Sequence, residues 1–204
     1  TIKAADVKGF FYALQNLRLM LPPTIEGKEK TTDTWSIPSL TIKDAPRFNY
    51  RGFMLDVSRF FLPKEDLLRM IDCIAMLKIN RLHLHLTDDN GWRLEIKKYP
   101  KLTEVGAWKV DRQNIPIPPT GENPKKEEPA TIGGFYTQED MKEIIRYAAE
   151  RQVEIIPEID VPAHSNAALA SYPEFACPVV KDFIGVLPGL GAKNAEIIFC
   201  AGNE

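Results

Sequence analysis

Three clusters of polar residues have the types and spacing that acid–base chemistry requires. They are Asp56-Val-Ser58-Arg59, Thr87-Asp88-Asp89-Asn90-Gly91-Trp92 and Glu158-Ile-Asp160-Val-Pro162-Ala163-His164. Any one of them reads equally well as a turn, because Asp and Asn side chains satisfy turn backbone. Their recurrence at the same end of three successive strand patterns singles them out. Asp160 and His164 are four apart across Pro162, so a turn can bring carboxylate and imidazole together. A carboxylate on one ring nitrogen fixes the tautomer and turns the other nitrogen toward a third group, such as a catalytic acid. A functionless surface Asp–His contact is the competing reading. His83 and His85 alternate along a strand and share one face, as a metal pair would. Only one other histidine exists and no lysine flanks the third cluster, so both rings are expected to be buried and hydrogen-bonded, with no metal.

These clusters need strands to present them. Gly52–Ser58, Arg81–Thr87 and Val153–Ile159 read as three buried strands. A helix with Leu67, Met70, Ile71, Ile74 and Leu77 on its apolar face, opened by Pro63 and closed by Asn80, joins the first two. A second helix starts at Thr137 with Asp140 in capping-box position, and Met141, Ile144, Ile145, Ala148 and Ala149 form its apolar face. Strand–helix–strand order with short joints implies right-handed parallel βαβ units and an α/β fold. Between the second strand and second helix, residues 109–133 form a long connection holding Pro116, Pro118, Pro119, Pro124 and Pro129. It reads as a solvated insertion or a substrate-contacting lid. Upstream, Asp6 can cap an amphipathic helix carrying Phe10, Phe11, Leu14, Leu17 and Met20, which Pro22-Pro23 ends. A short strand pattern at 35–42 then runs into Asp44-Ala45-Pro46, where a domain boundary is placed: 1–46 precedes, 47–204 follows.

Composition excludes several classes. The formal net charge is −2, from 26 basic and 28 acidic residues, with no basic stripe, which argues against a nucleic-acid partner. No apolar run approaches the roughly 20 residues of a membrane span. The chain also lacks a basic start followed by an apolar signal core, but Thr1-Ile2-Lys3 reads as the middle of a domain. Cys73 sits in a helical pattern and reads as a small buried hydrophobe; Cys177 and Cys200 could pair in an oxidising compartment or stay free.

The motifs Arg51-Gly-Phe-Met-Leu-Asp-Val-Ser-Arg59, His83-Leu-His-Leu-Thr-Asp-Asp-Asn-Gly-Trp92 and Gly133-Gly-Phe-Tyr-Thr-Gln-Glu-Asp140 occur in order, followed by Pro157-Glu-Ile-Asp-Val-Pro-Ala-His-Ser165 and Cys200-Ala-Gly-Asn-Glu204. Together they resemble the family-20 glycoside hydrolases, the β-N-acetylhexosaminidases. The resemblance implies the first three strands of a (β/α)₈ barrel, with residues 1–46 resembling the tail of a small α/β domain before it. A complete barrel takes about 250 residues, so this one is partial. It also implies hydrolysis of terminal, non-reducing β-linked N-acetylglucosamine or N-acetylgalactosamine with substrate assistance, in which the 2-acetamido oxygen attacks the anomeric carbon. On that likeness Arg59 and Asp88 bind the sugar, Asp88 links to His164, and Asp160 and His164 form a relay supporting the acid. Trp92 and Trp108 stand where an aromatic either stacks on a sugar face or anchors a loop. No cofactor is implied, and the partners are the carbohydrate and the remainder of the same polypeptide. An exported enzyme is expected.

The Asp-Glu pair that supplies the acid in that family has no match here, since its Gly-Gly-Asp-Glu motif falls beyond the equivalent of Glu204. The 204 residues are therefore expected to be inactive alone. Two positions depart from the family pattern: Phe60 replaces a histidine and Ala163 a glycine. A non-catalytic sugar-binding relative that retains Arg59 and Asp88 is the rival reading.

Overall fold

A computed structural model describes residues 1–30, 34–112, 123–189 and 197–202. Pro116, Pro118 and Pro119 of the long connection, and the closing Asn203-Glu204, lie outside the described residues.

Three parallel strands form the sheet, β1 (Gly52–Asp56), β2 (Arg81–His85) and, last in the chain, β7 (Glu154–Glu158), in spatial order β1-β2-β7. The register sets Asp56 beside His85 and His85 beside Glu158, so the polar ends of all three strands are level. Side chains alternate across the pleat. Phe53, Leu55, Leu82, Leu84 and Ile155 turn toward the helices and join one apolar core. Met54, Asp56, His83, His85, Ile156 and Glu158 share the opposite face.

Helices α2 (Lys64–Met76) and α4 (Gln138–Glu150) cover the first face. In α2 Leu67, Ile71 and Ile74 are buried; Pro63 sits at the N-cap rather than in the first turn, and Leu77 is exposed. Asn80 stands past the helix end, where it accepts from the Arg51 N–H at 2.9 Å and donates to the Asn49 carbonyl at 2.8 Å. Helix α4 opens with the expected capping box between Thr137 and Asp140. Its buried stripe is narrower than the sequence suggests: Met141, Ile144 and Ala148 are inside, whereas Ile145 and Ala149 face out. Lys64 binds Asp140 at 2.8 Å and Glu143 at 2.9 Å, fastening α2 to α4.

The chain between β2 and α4 is more ordered than a plain loop. β3 (Thr87–Asp88) and β4 (Gly91–Trp92) make a hairpin turning at Asp89-Asn90, the short helix α3 (Lys101–Glu104) follows, and β5 (Trp108–Val110) pairs antiparallel with β6 (Ala130–Gly133). The two ends of the long connection are thus clamped together as a ribbon. After β7 the chain turns through His164 into α5 (Asn166–Ser171).

The leading segment folds as expected only in its helix. α1 (Val7–Leu19) is capped by Asp6, which accepts from the Gly9 N–H at 2.7 Å. Phe11 reaches the core, and Lys78 ties Asn16 and Asp44 to the end of α2, at 2.5 and 2.6 Å. The pattern at 35–42 forms no strand among the described residues, and Trp35, Ile37, Leu40 and Ile42 are exposed. Cys73 is exposed rather than buried, because it falls between the apolar positions of α2. Cys177 and Cys200 are both free thiols, each one residue beyond the Ala176–Phe199 bridge, and the neighbouring Cys200 raises the Cys177 pKa.

Candidate active site

The level strand ends bring together a charged cluster centred on Asp88, which is 2% exposed. Its Oδ1 accepts the Asp89 N–H at 2.6 Å and faces His164 Nδ1 at 3.2 Å. Its Oδ2 accepts from Arg59 Nη2 at 2.5 Å and from His85 Nε2 at 2.7 Å. Arg59 reaches back with Nη1 to Asp56 Oδ2 at 2.8 Å, so one guanidinium bridges the ends of β1 and β2. Burial works to raise the Asp56 carboxyl pKa, but the backbone N–H and guanidinium of Arg59 outweigh it and hold the carboxyl below its usual range. Burial likewise opposes the Arg59 charge, and Asp56 and Asp88 more than restore it.

Both histidines of β2 were expected to be buried and hydrogen-bonded: His85 is, whereas His83 is hydrogen-bonded but only partly buried, on the uncovered face of the sheet. His85 Nδ1 meets Glu158 Oε1 at 2.9 Å while Nε2 holds Asp88. Glu158 forks, its second oxygen lying 2.5 Å from His83 Nε2. Burial alone would lower the His85 pKa, yet its bonds to Asp88 and Glu158 raise it. Glu158 is held low in turn, its bonds with His85 outweighing desolvation. With both nitrogens facing carboxylates, His85 has no lone pair to offer a metal. Donor atoms of Asp88, Asp89 and His164 do lie within 4.8 Å of one another, but the cations nearest Asp88 are Arg59 and His85.

Asp160 and His164 do not pair as the spacing suggested. His164 adopts φ +50°, a left-handed conformation that swings its ring onto Asp88 and, at 3.7 Å, Asp89. Ala163, where the departure from glycine was noted, does not need positive φ. Asp160 is fixed by its backbone, whose N–H donates to Thr87 Oγ1 at 3.0 Å, and its carboxylate stands half-buried at the rim. Arg59, Asp88 and His164 therefore meet, with Asp160 beside them but outside their contacts.

Both tryptophans anchor loops: Trp92 Nε1 donates to the Leu94 carbonyl at 2.6 Å and Trp108 Nε1 to the Thr103 carbonyl at 3.0 Å. Sequence reasoning missed Arg93. Its fully buried guanidinium donates to the carbonyls of Val57 (3.0 Å), Ser58 (2.6 Å), Asn90 (3.2 Å), Ala107 (2.5 Å) and Gly134 (3.1 Å). Desolvation lowers its pKa to about 10. No motif marks such a residue; the only hint was an arginine directly after the Gly91-Trp92 turn.

The polar ends of three adjacent parallel strands thus share one mouth, where barrel enzymes place their chemistry. Comparison with known proteins leads to the same architecture. The model for glycosyl hydrolase family 20, catalytic domain, matches residues 48–204. The beta-hexosaminidase of Porphyromonas gingivalis is 46% identical over all 204 residues, which cover 24% of its length. The N,N'-diacetylchitobiase of Vibrio harveyi is 45% identical over 83% of this chain and 18% of its own. The chain therefore spans about a quarter or less of the length of these relatives. The solved family-20 beta-N-acetylhexosaminidase of Streptomyces coelicolor superposes with a TM-score of 0.81 at 38% identity, over 96% of this chain and 35% of that one. The exo beta-N-acetylglucosaminidase of Vibrio harveyi, in complex with N-acetylglucosamine, gives 0.74 at 35% identity, over 97% and 29%. The three strands are the opening of a (β/α)₈ barrel, and a match spanning the sheet, its helices and its charged mouth leaves one assignment: the chain belongs to glycosyl hydrolase family 20.

Proposed function

We propose that the full-length protein carrying these residues hydrolyses terminal, non-reducing β-linked N-acetylglucosamine or N-acetylgalactosamine by a substrate-assisted, retaining route. The observation that carries this reading is the Arg59–Asp88–His164 cluster at a shared mouth of parallel strands. Arg59, partly exposed at the mouth, directs its remaining N–H groups where vicinal ring hydroxyls can accept them, and the buried Asp88 beneath it holds the guanidinium in that position. The names of the relatives, beta-hexosaminidase and N,N'-diacetylchitobiase, support the N-acetylhexosamine. His164 is braced by Asp88 through Nδ1 and leaves its exposed Nε2 for the group that protonates the leaving oxygen. Asp160, free at the rim, adds negative charge beside that group and assists its proton transfer. In the same reading, residues 1–46 end a small α/β domain and 47–204 begin the catalytic barrel. The facing thiols of Cys177 and Cys200 suit an oxidising compartment and thus an exported enzyme. No helix of the described residues is long and apolar enough to cross a membrane.

The test is turnover of an aryl N-acetyl-β-glucosaminide by the full-length protein, with the anomer released read by NMR. Retention with hydrolysis is expected, and Asp160→Asn should lower kcat about tenfold or more. Arg59→Ala should weaken binding of N-acetylglucosamine about tenfold or more, since each charge-assisted bond is worth about 1.5–3 kcal/mol. A protein that binds the sugar but never cleaves the glycoside would be a sugar-binding relative instead.

A further inference from the structure

Lys109 belongs to β5, outside the three-stranded sheet, yet is only 4% exposed. Its Nζ donates to the main-chain carbonyl of Arg59 at 2.7 Å and lies 4.7 Å from the centre of the Phe60 ring. Arg93 already holds the two preceding carbonyls, those of Val57 and Ser58. Asp56 Oδ1 accepts from the N–H groups of Ser58 and Arg59, both at 3.0 Å. Every main-chain polar atom from the Val57 carbonyl to that of Arg59 is thereby held, and the Ser58 hydroxyl adds a bond to Gly91 O at 2.7 Å.

A buried ammonium is a costly way to fill space, and an apolar residue of similar length would cost less. Desolvation and the neighbouring Arg93 charge lower the Lys109 pKa to about 8, which measures that cost. The group the ammonium holds is the peptide from which the Arg59 side chain departs. If that peptide rotates, the guanidinium loses its simultaneous reach to Asp56 and Asp88.

We propose that Lys109 is a positioning residue for sugar recognition: by fixing the Arg59 carbonyl it sets the angle at which the Arg59 guanidinium meets Asp88 and the ring hydroxyls of the N-acetylhexosamine. The inference rests on the sugar-binding role given to Arg59 above. It makes the β5–β6 ribbon a determinant of affinity, although the ribbon's own side chains need not touch the sugar.

The test is steady-state hydrolysis of an aryl N-acetyl-β-glucosaminide by the full-length protein and by Lys109→Met, Lys109→Gln, Arg59→Ala and Lys109→Met/Arg59→Ala. Loss of binding shared by ground and transition states raises KM and spares kcat. Lys109→Met should therefore raise KM about tenfold, and Lys109→Gln, which keeps an N–H donor, about threefold, with kcat within about twofold of the parent. In the Arg59→Ala background, Lys109→Met should change KM by no more than about twofold, because the two residues act through one contact. Unchanged KM in an active Lys109→Gln enzyme overturns the proposal, as does a loss confined to kcat and thermal stability. Multiplicative KM effects of Lys109→Met and Arg59→Ala overturn it too. A parent that hydrolyses nothing removes the catalytic reading and this inference with it, whereas an active parent with unmoved KM values sinks the inference alone.

Discussion

Asp88 takes four donors on two oxygens, two of them from groups that carry full charge, and its burial makes each partner count. His85 is the less obvious of these. Carboxylate oxygens accept and never donate when ionised, so an imidazole held between Asp88 and Glu158 keeps both its protons. Its folded-state pKa lies above the ordinary 6.5. The stabilisation from this raised group is fully present below about pH 6.5 and is lost as pH rises through the higher folded value. The denaturation midpoint of the full-length protein should therefore fall as pH rises above about 6.5, and His85→Gln should flatten that slope. A parent curve as flat as the variant's would count against the imidazolium. Asp88→Asn leaves Arg59 and His85 facing a neutral amide and should cost about 3–5 kcal/mol of stability, read in urea. Arg59, Asp88 and His164 were legible because each closes a strand pattern with a polar residue. The Asp160–His164 contact was not, since a spacing of four fixes distance along the chain but not the sign of φ at His164, and +50° turns the ring to β2.

Elements place these residues, and the loops between them are tied down by side chains rather than by ladders. Arg93 collects carbonyls from the exit of β1, the β3–β4 hairpin, the residue before β5 and the residue after β6. Gly91 has to be glycine for the same reason: a Cβ there would lie 2.2 Å from the Arg93 guanidinium. Arg93→Met would strand the carbonyls of Val57, Ser58, Asn90 and Gly134 in a dry interior, while Ala107 O keeps the Gly134 N–H, at about 1–3 kcal/mol for each left unpaired, tempered by local relaxation. A loss of at least about 4 kcal/mol, or failure to yield soluble full-length protein, is the expected outcome of a denaturant titration. A shift under about 1 kcal/mol would mean that water replaces the guanidinium. The helices were readable from the spacing of Leu67, Ile71 and Ile74 and from the Thr137–Asp140 box, which are local signals. The β5–β6 ribbon was not readable, because its pairing joins residues twenty or more apart across a proline-rich stretch. The 35–42 segment failed the opposite way: it alternates as a strand should, but alternation provides no partner edge.

At the scale of the whole molecule, the sheet is finished on one face only. Helices α2 and α4 seal Leu82 and Leu84 completely, while across the pleat Met54 is 56% exposed and His83 and Glu158 are half open. Parallel sheets are stable when both faces are covered, and among the described residues no strand pairs with the outer edge of β1 or of β7. Sequence patterns announced the strand order and the shared mouth, because βαβ handedness leaves few alternatives. They could not announce which atoms line the open face, since that depends on register, here Met54 with His83 and His83 with Ile156. Expressed alone, residues 1–204 should therefore associate through that face and those edges, and should not hydrolyse an aryl N-acetyl-β-glucosaminide. Size-exclusion chromatography with light scattering should show species larger than the 23.1 kDa monomer, and a dye that reports exposed apolar surface should bind strongly. The full-length protein should do neither and should be active. A monomeric, dye-silent and active 204-residue chain would mean that three strands already form a complete catalytic unit, and the placement of the acid on a further strand would have to be abandoned.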